Sequence, residues 1–433
     1  MTLAVVEDAD GRRFAAPLVR DGDRVRRALP GDGAALALVS HLSLVEAPLP
    51  PLVEAPLPPL VEAPLPPLVE APLPPLVEAR SDRDHPFTLT TWQHAPVDSE
   101  RAIDVDQSNE SVIVHGPGGG AVVKWVVRVS DGDDPAPARV SRLVDAGFEA
   151  MPTPWGMVQW ETAPGGPLAL VAMVTELVRD ARDGWEWAVA YARAYASGAA
   201  SLHTTATAPG ETLGRIVAAM HLGLADAVPP VADPERAVAW RDEATAGLDD
   251  ALALMDGDEL VRLESHADAL REELGALADA AGTPLIPIHG DLHVGQVLRG
   301  ADASYRVTDF DGNPVATPAE RLAPQPAAVD VAGMAQSLDH VAYVVLHRTP
   351  GVDADAVQTW RTAVVGAFLA SYRATLAAAG RAALLDEALL APLRMRQVCR
   401  EYVYAGRHLP HWRYVPDRAV RDRYESPTEG SDR

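Results

Sequence analysis

Two short segments in the second half of the chain carry side chains suited to the transfer of a phosphoryl group. They are IHGDLHVGQ at residues 288–296 and VTDFDGNP at residues 307–314. Phosphoryl transfer requires a carboxylate that orients the attacking hydroxyl group and oxygen ligands that hold Mg²⁺. Asp291 fits the first role, and Gln296 and Asp309 fit the second. The two segments therefore predict a phosphoryl-transfer centre.

A phosphate-binding cation is predicted by the single lysine of the chain. Among 37 Lys and Arg residues only Lys124 is a lysine, and it lies in the apolar run AVVKWVV. Lysine is a compact point charge on a flexible stem, which the planar arginine guanidinium does not replace at a tight phosphate site. We therefore expect Lys124 to lie on a strand and to bind a triphosphate. A Walker-type P-loop is excluded because Trp125 follows this lysine.

A polar loop lies upstream of this lysine and precedes a glycine-rich hairpin. Its sequence is DQSNES at residues 106–111. Backbone N–H groups in such a loop can form an anion-binding concavity. We expect Ser108, Asn109 and Ser111 to contribute to a cap over the phosphates.

The elements that must position these side chains change in character along the chain. Apolar and β-branched runs separated by turn residues predict strands, whereas aromatic and apolar residues repeating at helical spacing predict helices. Strands are predicted at residues 3–6, 13–19, 87–92, 111–115, 121–129, 158–160, 168–177, 285–289 and 305–308. Helices are predicted at 140–148, around 187–195, and within 212–282, 326–347, 354–379 and 383–407. A β-rich first part followed by a mostly helical second part indicates an α+β fold.

A proline-rich repeat interrupts the first part. The octapeptide LVEAPLPP recurs in tandem over residues 44–79. Three prolines in eight residues exclude a helix or the interior of a sheet, so we expect an extended, polyproline-like surface segment. An expansion within a tolerant loop explains the repeat better than a ligand for a proline-binding domain.

Composition restricts the partners and the compartment. A net charge of −24 argues against nucleic acid or an anionic membrane as a partner. The single cysteine, Cys399, excludes an internal disulfide and fits a cytoplasmic protein. No run approaches the roughly 20 apolar residues of a membrane span. A length of 433 residues predicts two or three domains.

The motifs in combination resemble a known family. His-Gly-Asp at 289–291, an amide five positions after the aspartate, Asp-Phe-Asp at 309–311 and an upstream strand lysine resemble the aminoglycoside phosphotransferase-like branch of the protein-kinase fold. The segments DQSN at 106–109, DGWEW at 183–187, DVAGM at 330–334 and PHW at 410–412, with Val415-Pro416, look like the bacterial maltokinases and the actinobacterial glucosamine kinases. The resemblance covers nearly the whole chain except the proline repeat.

This resemblance implies a bilobal protein-kinase-like fold that uses ATP and Mg²⁺. An N-terminal cap subdomain would span residues 1–98, a β-rich N-lobe 99–178 and a helical C-lobe 179–433. Asp291 would be the catalytic aspartate, and His289 would brace its loop. The remaining implied roles are Mg²⁺ binding by Gln296 and Asp309, phosphate binding by Lys124, and adenine recognition by the backbone of Glu176 and Val178 in a hinge at 175–178.

The residues implied to bind the acceptor indicate an amino sugar. They are Asp291, His293, Asp311, Gln397, Glu401, Tyr404 and Trp412. Maltokinases usually carry two glutamates on the helix of Glu401, but Ala405 stands at the second position here. Together with Asp311 and Asn313, this change favours a smaller sugar whose ammonium group an acidic pocket would attract. We therefore expect phosphorylation of glucosamine on its 6-hydroxyl group.

Several alternatives stay open at the level of sequence. Between 131 and 148 the chain has no glutamate to pair with Lys124, and only Asp133 and Asp134 lie nearby, which leaves an inactive pseudokinase scaffold as an alternative. Maltose 1-phosphorylation and aminoglycoside phosphorylation would use the same machinery. A hydrolase could instead bind zinc through His289, Asp291 and His293. The expected oligomeric state is a monomer or weak homodimer.

Overall fold

The computed structural model describes residues 2–7, 12–21, 24–42, 87–103, 110–130, 132–163, 165–198 and 206–425. The proline-rich repeat and the loop that carries Ser108 and Asn109 lie outside the described residues. The chain divides into two compact units. The first comprises residues 1–141, 151–179 and 314–322, and the second comprises residues 142–150, 180–313 and 323–433.

The first unit is built mainly of strands. Elements are numbered in chain order, and this unit contains β1 (Thr2–Glu7), β2 (Arg13–Asp21), β3 (Arg24–Arg27), α1 (Ala34–Leu42), β4 (Phe87–Thr91), β5 (Ser99–Ala102), β6 (Glu110–Gly116), β7 (Gly119–Trp125), β8 (Arg128–Val129), most of α2 (Pro135–Asp145), β9 (Pro154–Glu161), β10 (Leu168–Glu176) and α7 (Pro318–Leu322). β1, β2, β3 and β8 form a small antiparallel sheet. The other strands form a six-stranded antiparallel sheet in the order β4-β9-β10-β7-β6-β5.

The core of the first unit lies on one face of the six-stranded sheet. Val123 and Trp125 of β7 are buried in it together with Leu38 and Leu42 of α1. The helix approaches the sheet closely at Gly156, where a Cβ atom would lie 2.7 Å from a methyl group of Leu42. A Cβ atom there would lie equally close to the backbone oxygen of Thr90 in β4, so a larger residue would disturb the pairing of β4 with β9.

Lys124 lies on the opposite face of the same strand. Side chains alternate along a strand, so Lys124 points away from the face that buries Val123 and Trp125. Its cross-strand neighbours are Ser111 of β6 and Met173 of β10. The predicted strand at 121–129 is therefore confirmed in its first half, and a short break separates it from β8.

The second unit is mostly helical. It contains α3 (Gly184–Ala196), α4 (Ala208–Leu224), α5 (Pro234–Leu254), α6 (Gly257–Gly275), the short strands β11 (Val297–Arg299) and β12 (Tyr305–Val307), α8 (Ala328–Arg348), α9 (Ala354–Ala378), α10 (Leu390–Arg407) and α11 (Tyr414–Tyr424). Almost every residue of α8 between Asp330 and Val345 is buried. It packs against α3, α9, α10 and α11, as expected of a helix that is apolar on most of its surface.

Two sequence-based element predictions need correction. The strand predicted at 285–289 is absent; Ile286 pairs with Gln325 and Pro284 pairs with Val231, each in an isolated bridge. Pro284 and Pro287 flank Ile286 and lack the N–H groups that a longer ladder would need. The helix predicted at 140–148 begins earlier, at Pro135, since proline is well suited to the first turn of a helix.

The α+β fold class is confirmed, with a β-rich first unit and a helical second unit. The division into cap, N-lobe and C-lobe stays a prediction. β4, which falls within the expected cap range, pairs with β9, and β8 of the expected N-lobe pairs with β2. Within the described part of the chain, no helix is both long enough and apolar enough to span a membrane.

Candidate active site

The loop that contains Asp291, residues 288–296, is held in place by a buried aspartate of α8. Asp330 accepts hydrogen bonds from the backbone N–H groups of His289, at 2.7 Å, and Gly290, at 2.9 Å. Its Oδ2 also lies 3.1 Å from Nε2 of His221, whose other ring nitrogen is 2.7 Å from the hydroxyl of Tyr372. Burial opposes ionisation of Asp330, but these partners keep its pKa below the usual value.

His289 joins this loop to the segment that carries Asp309. Its Nε2 donates to the carbonyl oxygen of Thr308 at 2.8 Å, so its Nδ1 is the acceptor for the N–H of Asp291 at 3.3 Å. The bracing role predicted for His289 is confirmed. Both ring nitrogens are engaged, so His289 has none left for a metal ion, and the alternative of a zinc site built on this residue is wrong.

The two candidate Mg²⁺ ligands lie at the adjacent ends of a strand pair. β11 begins directly after Gln296, and β12 ends two residues before Asp309. The N–H of Thr308 donates to the carbonyl of Gln296 at 2.9 Å, which brings the two ligands together. Asp309 has a φ of 65°, a strained conformation for a residue with a side chain, of the kind that clusters at functional sites. An amide oxygen and a carboxylate fit a Mg²⁺ ion, which prefers oxygen ligands.

Asp291 lies in a strongly electrostatic environment. Burial raises the pKa of its carboxyl group, and the negative charge of Asp309 acts in the same direction. Interactions with His293, His289 and Arg400 lower the pKa of Asp291 and oppose this effect. Asp309 is therefore near enough to Asp291 to affect its pKa.

A pocket opens beside Asp291 within the second unit. The predicted acceptor-binding residues His293, Gln397, Glu401 and Trp412 line it together with Asp291. Further lining residues come from α3, α8, α10 and the segment after Asp309; they are Trp185, Asn313, Asp330, Ser337, His340, Arg396 and Arg400.

Aromatic rings form one side of this pocket. Trp185 and Trp412 meet edge to face, with ring centroids 5.8 Å apart, and His293 lies 6.4 Å from Trp185. Asp183 caps α3 by accepting the N–H of Trp185 at 2.9 Å, which holds this tryptophan in the first turn of the helix. At Gly184 a Cβ atom would lie 1.8 Å from the carbonyl oxygen of Val294, so only glycine allows α3 to reach the loop.

His293 is poised as a neutral hydrogen-bond donor. Its Nδ1 accepts the N–H of Gly295 at 3.0 Å, which leaves Nε2–H as the donor of the neutral ring. Burial lowers the pKa of His293 against the attraction of Asp291. A neutral donor beside a carboxylate suits recognition of a hydroxyl group.

α10 supplies buried charges to the opposite side of the pocket. Arg396 is buried, and desolvation together with repulsion from Arg400 lowers its pKa to about 10. Glu401 is only partly exposed, and desolvation raises its pKa to about 8, although hydrogen bonding by Gln397 and the charge of Arg400 oppose the shift. The pocket therefore contains a basic group, Arg396, and an acidic group, Glu401, whose pKa values are both shifted towards the neutral form.

Two residues predicted to bind the acceptor do not line this pocket. Tyr404 is 51% exposed and packs near His408, with ring centroids 5.3 Å apart. Asp311 is also absent from the lining, whereas Asn313 is present. Helical spacing does place Gln397 and Glu401 together, and their side chains are 3.1 Å apart.

The residues predicted to bind the nucleotide belong to the first unit. The N–H of Glu176 donates to Thr153 at 2.8 Å, and the N–H of Leu177 donates to Gly120 at 2.9 Å. Val178 follows the end of β10, and Lys124 and Ser111 are cross-strand neighbours. Asp133 and Asp134 accept the N–H groups of Leu168 and Leu170, so both aspartates have a structural task at β10.

Sequence reasoning missed several residues that shape the site. Asp330, Ser337 and His340 lie on α8. Their spacing in the sequence predicts that they share one face of a helix, but it does not predict that this face lines a pocket. The motifs DVAGM and DGWEW contain Asp330 and Trp185, and they were the available signal. Arg396 carried no signal because a single arginine in an arginine-rich chain is ordinary.

Comparison with known proteins gives close relatives over nearly the full length. No family model matches the chain. A glucosamine kinase of Streptacidiphilus jiangxiensis is 42% identical over 425 residues, which cover 97% of this chain and 88% of that protein. A glucosamine kinase of Mycolicibacterium smegmatis is 41% identical over 410 residues, which cover 94% of this chain and 92% of that protein.

Solved structures give the same result. A glucosamine kinase in complex with glucosamine, ADP and inorganic phosphate has a TM-score of 0.80 and 41% identity, over 98% of this chain and 90% of that chain. A second crystal form of a glucosamine kinase has a TM-score of 0.82 and 40% identity, over 98% of this chain and 91% of that chain.

Proposed function

Because the chain belongs to the glucosamine kinase family, we propose that it transfers the γ-phosphoryl group of ATP to the 6-hydroxyl group of glucosamine. The observation that carries this proposal is the pocket that joins Asp291, the candidate catalytic group, to Glu401 and Trp412. A carboxylate beside the reacting centre, a second carboxyl group and an aromatic ring are the groups that an amino sugar requires.

Asp291 orients the 6-hydroxyl group and accepts its proton. As the hydroxyl oxygen forms its bond to the γ-phosphorus, the bond from that phosphorus to the bridging oxygen of ADP breaks, which gives glucosamine 6-phosphate and ADP. Burial makes the Asp291 carboxylate more basic, which favours proton acceptance. Asp330 and His289 act by holding the loop, so that Asp291 keeps one orientation.

Gln296 and Asp309 would hold Mg²⁺, which neutralises charge on the phosphates when it is bound. In the same proposal, Lys124 and Ser111, with Ser108 and Asn109, bind the phosphates of ATP. The backbone of Glu176 and Val178 binds adenine.

At the sugar end of the pocket, Trp412 provides a flat apolar surface for the ring of the sugar. His293 donates from Nε2–H to a hydroxyl group. Glu401 and Gln397 lie where an amino or hydroxyl substituent would be recognised. We refer to this pocket below as the sugar pocket.

We further propose that the protein acts in the cytoplasm as a monomer or weak homodimer and binds neither nucleic acid nor membrane. The net charge of −24 and a single, buried cysteine support this view. Light scattering coupled to size-exclusion chromatography would test the oligomeric state, and a stable tetramer would contradict it.

The substrate is tested by an ADP-release assay with ATP, Mg²⁺ and one of four acceptors: glucosamine, glucose, maltose or kanamycin. We expect the highest kcat/KM with glucosamine. Turnover of maltose or kanamycin alone would overturn the proposal.

A further inference from the structure

Two arginines of α10 line the sugar pocket without a partner from the protein. Arg396 and Arg400 are about one helical turn apart, so they share one face of the helix, and both line the pocket. Arg396 is only 8% exposed, whereas Arg400 is partly exposed. Among the residues that the structure describes, neither guanidinium group makes a hydrogen bond or an ion pair. Since an arginine this deeply buried is normally paired, we expect its partner to be a molecule that enters the pocket.

The carboxyl group of Glu401, on the same helix face, is directed elsewhere. Its Oε1 accepts a hydrogen bond from Gln397 at 3.1 Å, and its Oε2 lies 3.1 Å from Nε2 of His340. Across the described ranges of the chain, no carboxylate forms an ion pair with Arg396 or Arg400. The positive charge of the two arginines is therefore available to a bound anion.

The two arginines also act on each other. Repulsion from Arg400 is second only to burial in lowering the pKa of Arg396, and the attraction of Glu243 on α5 is smaller. A neutral hydroxyl group could accept a hydrogen bond from either guanidinium group, but it would not reduce this repulsion. An anion that contacts both groups would accept their hydrogen bonds and also offset the repulsion. The arrangement therefore favours an anionic group over a neutral one as the ligand.

The proposed reaction supplies one anionic group to this pocket. Arg400 lowers the pKa of Asp291, so its charge acts at the group proposed to orient the 6-hydroxyl group of the sugar. Transfer of the phosphoryl group to that hydroxyl group creates a phosphate monoester, whereas glucosamine itself carries no anionic group. We propose that Arg396 and Arg400 form an anion subsite that binds the phosphate group of the product, glucosamine 6-phosphate. This inference rests on the proposed function.

Such a subsite distinguishes the product from the substrate by charge. The phosphate group gains charge-assisted hydrogen bonds from the two guanidinium groups, whose N–H groups form a planar fork that matches phosphate oxygens. The ammonium group of glucosamine is repelled by the same two positive charges. Removal of either charge should therefore weaken binding of the product but not binding of the substrate.

Isothermal titration calorimetry with glucosamine 6-phosphate and with glucosamine, each without nucleotide, tests the subsite. Arg400→Gln removes one positive charge and keeps a polar side chain. The dissociation constant of glucosamine 6-phosphate should therefore rise about tenfold to a hundredfold, as expected for the loss of a hydrogen bond to a charged group. The dissociation constant of glucosamine should stay the same or fall. A merely structural role of Arg400 would weaken both ligands together.

Arg396→Gln applies the same test to the buried member of the pair, and we expect the same opposed changes in affinity. Arg407→Gln is the matched control, because it makes the same substitution on α10 at a side chain that is paired with Asp250 and 53% exposed. This control should bind both ligands as the wild type does. If Arg396→Gln does not fold, the partly exposed Arg400 keeps the test valid.

Wild-type affinity for glucosamine 6-phosphate in both variants of the pair would overturn the inference, since water alone would then hydrate the two guanidinium groups. An equal loss of affinity for glucosamine and for its phosphate would also overturn it, because the arginines would then bind the sugar ring. Failure of the wild-type protein to phosphorylate glucosamine would contradict the proposed function. Phosphorylation of glucosamine, with unchanged product affinity in the variants, would contradict the present inference alone.

Discussion

The loop at 288–296 and the helix α10 face the same pocket but are stabilised in opposite ways. In the loop, the backbone N–H groups of His289, Gly290 and Asp291 all have acceptors, and Asp330 provides two of them. On α10, the buried Arg396 and the partly exposed Glu401 have pKa values displaced towards their neutral forms. The backbone hydrogen bonds of the loop fix the orientation of Asp291, whereas the incompletely compensated charges of α10 remain available to a bound substrate.

The largest effect is expected from removing the proton acceptor of the loop. Asp291→Asn keeps the shape of the side chain but removes the carboxylate, so kcat should fall about a hundredfold to ten-thousandfold. Nucleotide affinity, measured by calorimetry with ADP and Mg²⁺, should stay near the wild-type value. Wild-type turnover by this variant would show that the loop has a different role.

Removing the brace of the loop should cost both stability and activity. Asp330→Asn leaves buried N–H groups and His221 with a weaker partner, so the free energy of unfolding should fall by about 3–5 kcal/mol. Urea denaturation measures this loss. The matched control is Asp268→Asn on the surface of α6, where the side chain is fully exposed, and it should change stability little.

The same variant should alter the acid limb of the stability curve. The pKa of Asp330 is lowered in the folded protein, so the stabilisation is present above its ordinary pKa of about 4 and is lost as pH falls below it. Asp330→Asn should therefore lose less stability on acidification than the wild type. An equal loss in both proteins would contradict the ionised state assigned to Asp330.

A smaller effect is expected on the aromatic side of the pocket. Trp412→Ala removes the surface proposed for the sugar ring and its contact with Trp185, so the KM of glucosamine should rise about threefold to tenfold with little change in kcat. Phe at this position should restore most of the affinity. A fall in kcat at unchanged KM would place Trp412 closer to the reaction than proposed.

The smallest effect is expected for a residue on the exposed face of α10. Tyr404 is 51% exposed, so Tyr404→Ala should change the KM of glucosamine by less than about twofold, as is usual for surface positions. A large rise in the KM of glucosamine would show that Tyr404 does contact the sugar.

The sequence predicted those features of the site that depend on residues close together in the chain. Asp291, Gln296 and Asp309 could be selected from the sequence because phosphoryl transfer restricts both the residue types and their spacing, and their roles stay predictions. The structure does place the loops of Gln296 and Asp309 side by side. The strand position of Lys124 followed from its apolar neighbours, and the helical spacing of Gln397 and Glu401 placed them together. These inferences required only a few residues of context.

Features that depend on tertiary contacts were not accessible. Arg394 of α10 donates to Gln336 of α8, a residue about sixty positions away in sequence, and no local pattern reveals which side chains of the two helices meet. The strand predicted at 285–289 is wrong because the segment makes only isolated bridges, Pro284 to Val231 and Ile286 to Gln325, and no continuous ladder. Tyr404 shares a helical face with Glu401, but it lies nearer the end of α10, where exposure increases.

The central claim is that Asp291 drives transfer of phosphate to the 6-hydroxyl group of an amino sugar. Phosphorus-31 NMR of the product formed from ATP and glucosamine tests it most directly. The wild-type protein should give a single phosphomonoester coupled to the protons on carbon 6, and Asp291→Asn should give almost none. A phosphate on carbon 1, or equal product from both proteins, would contradict the account.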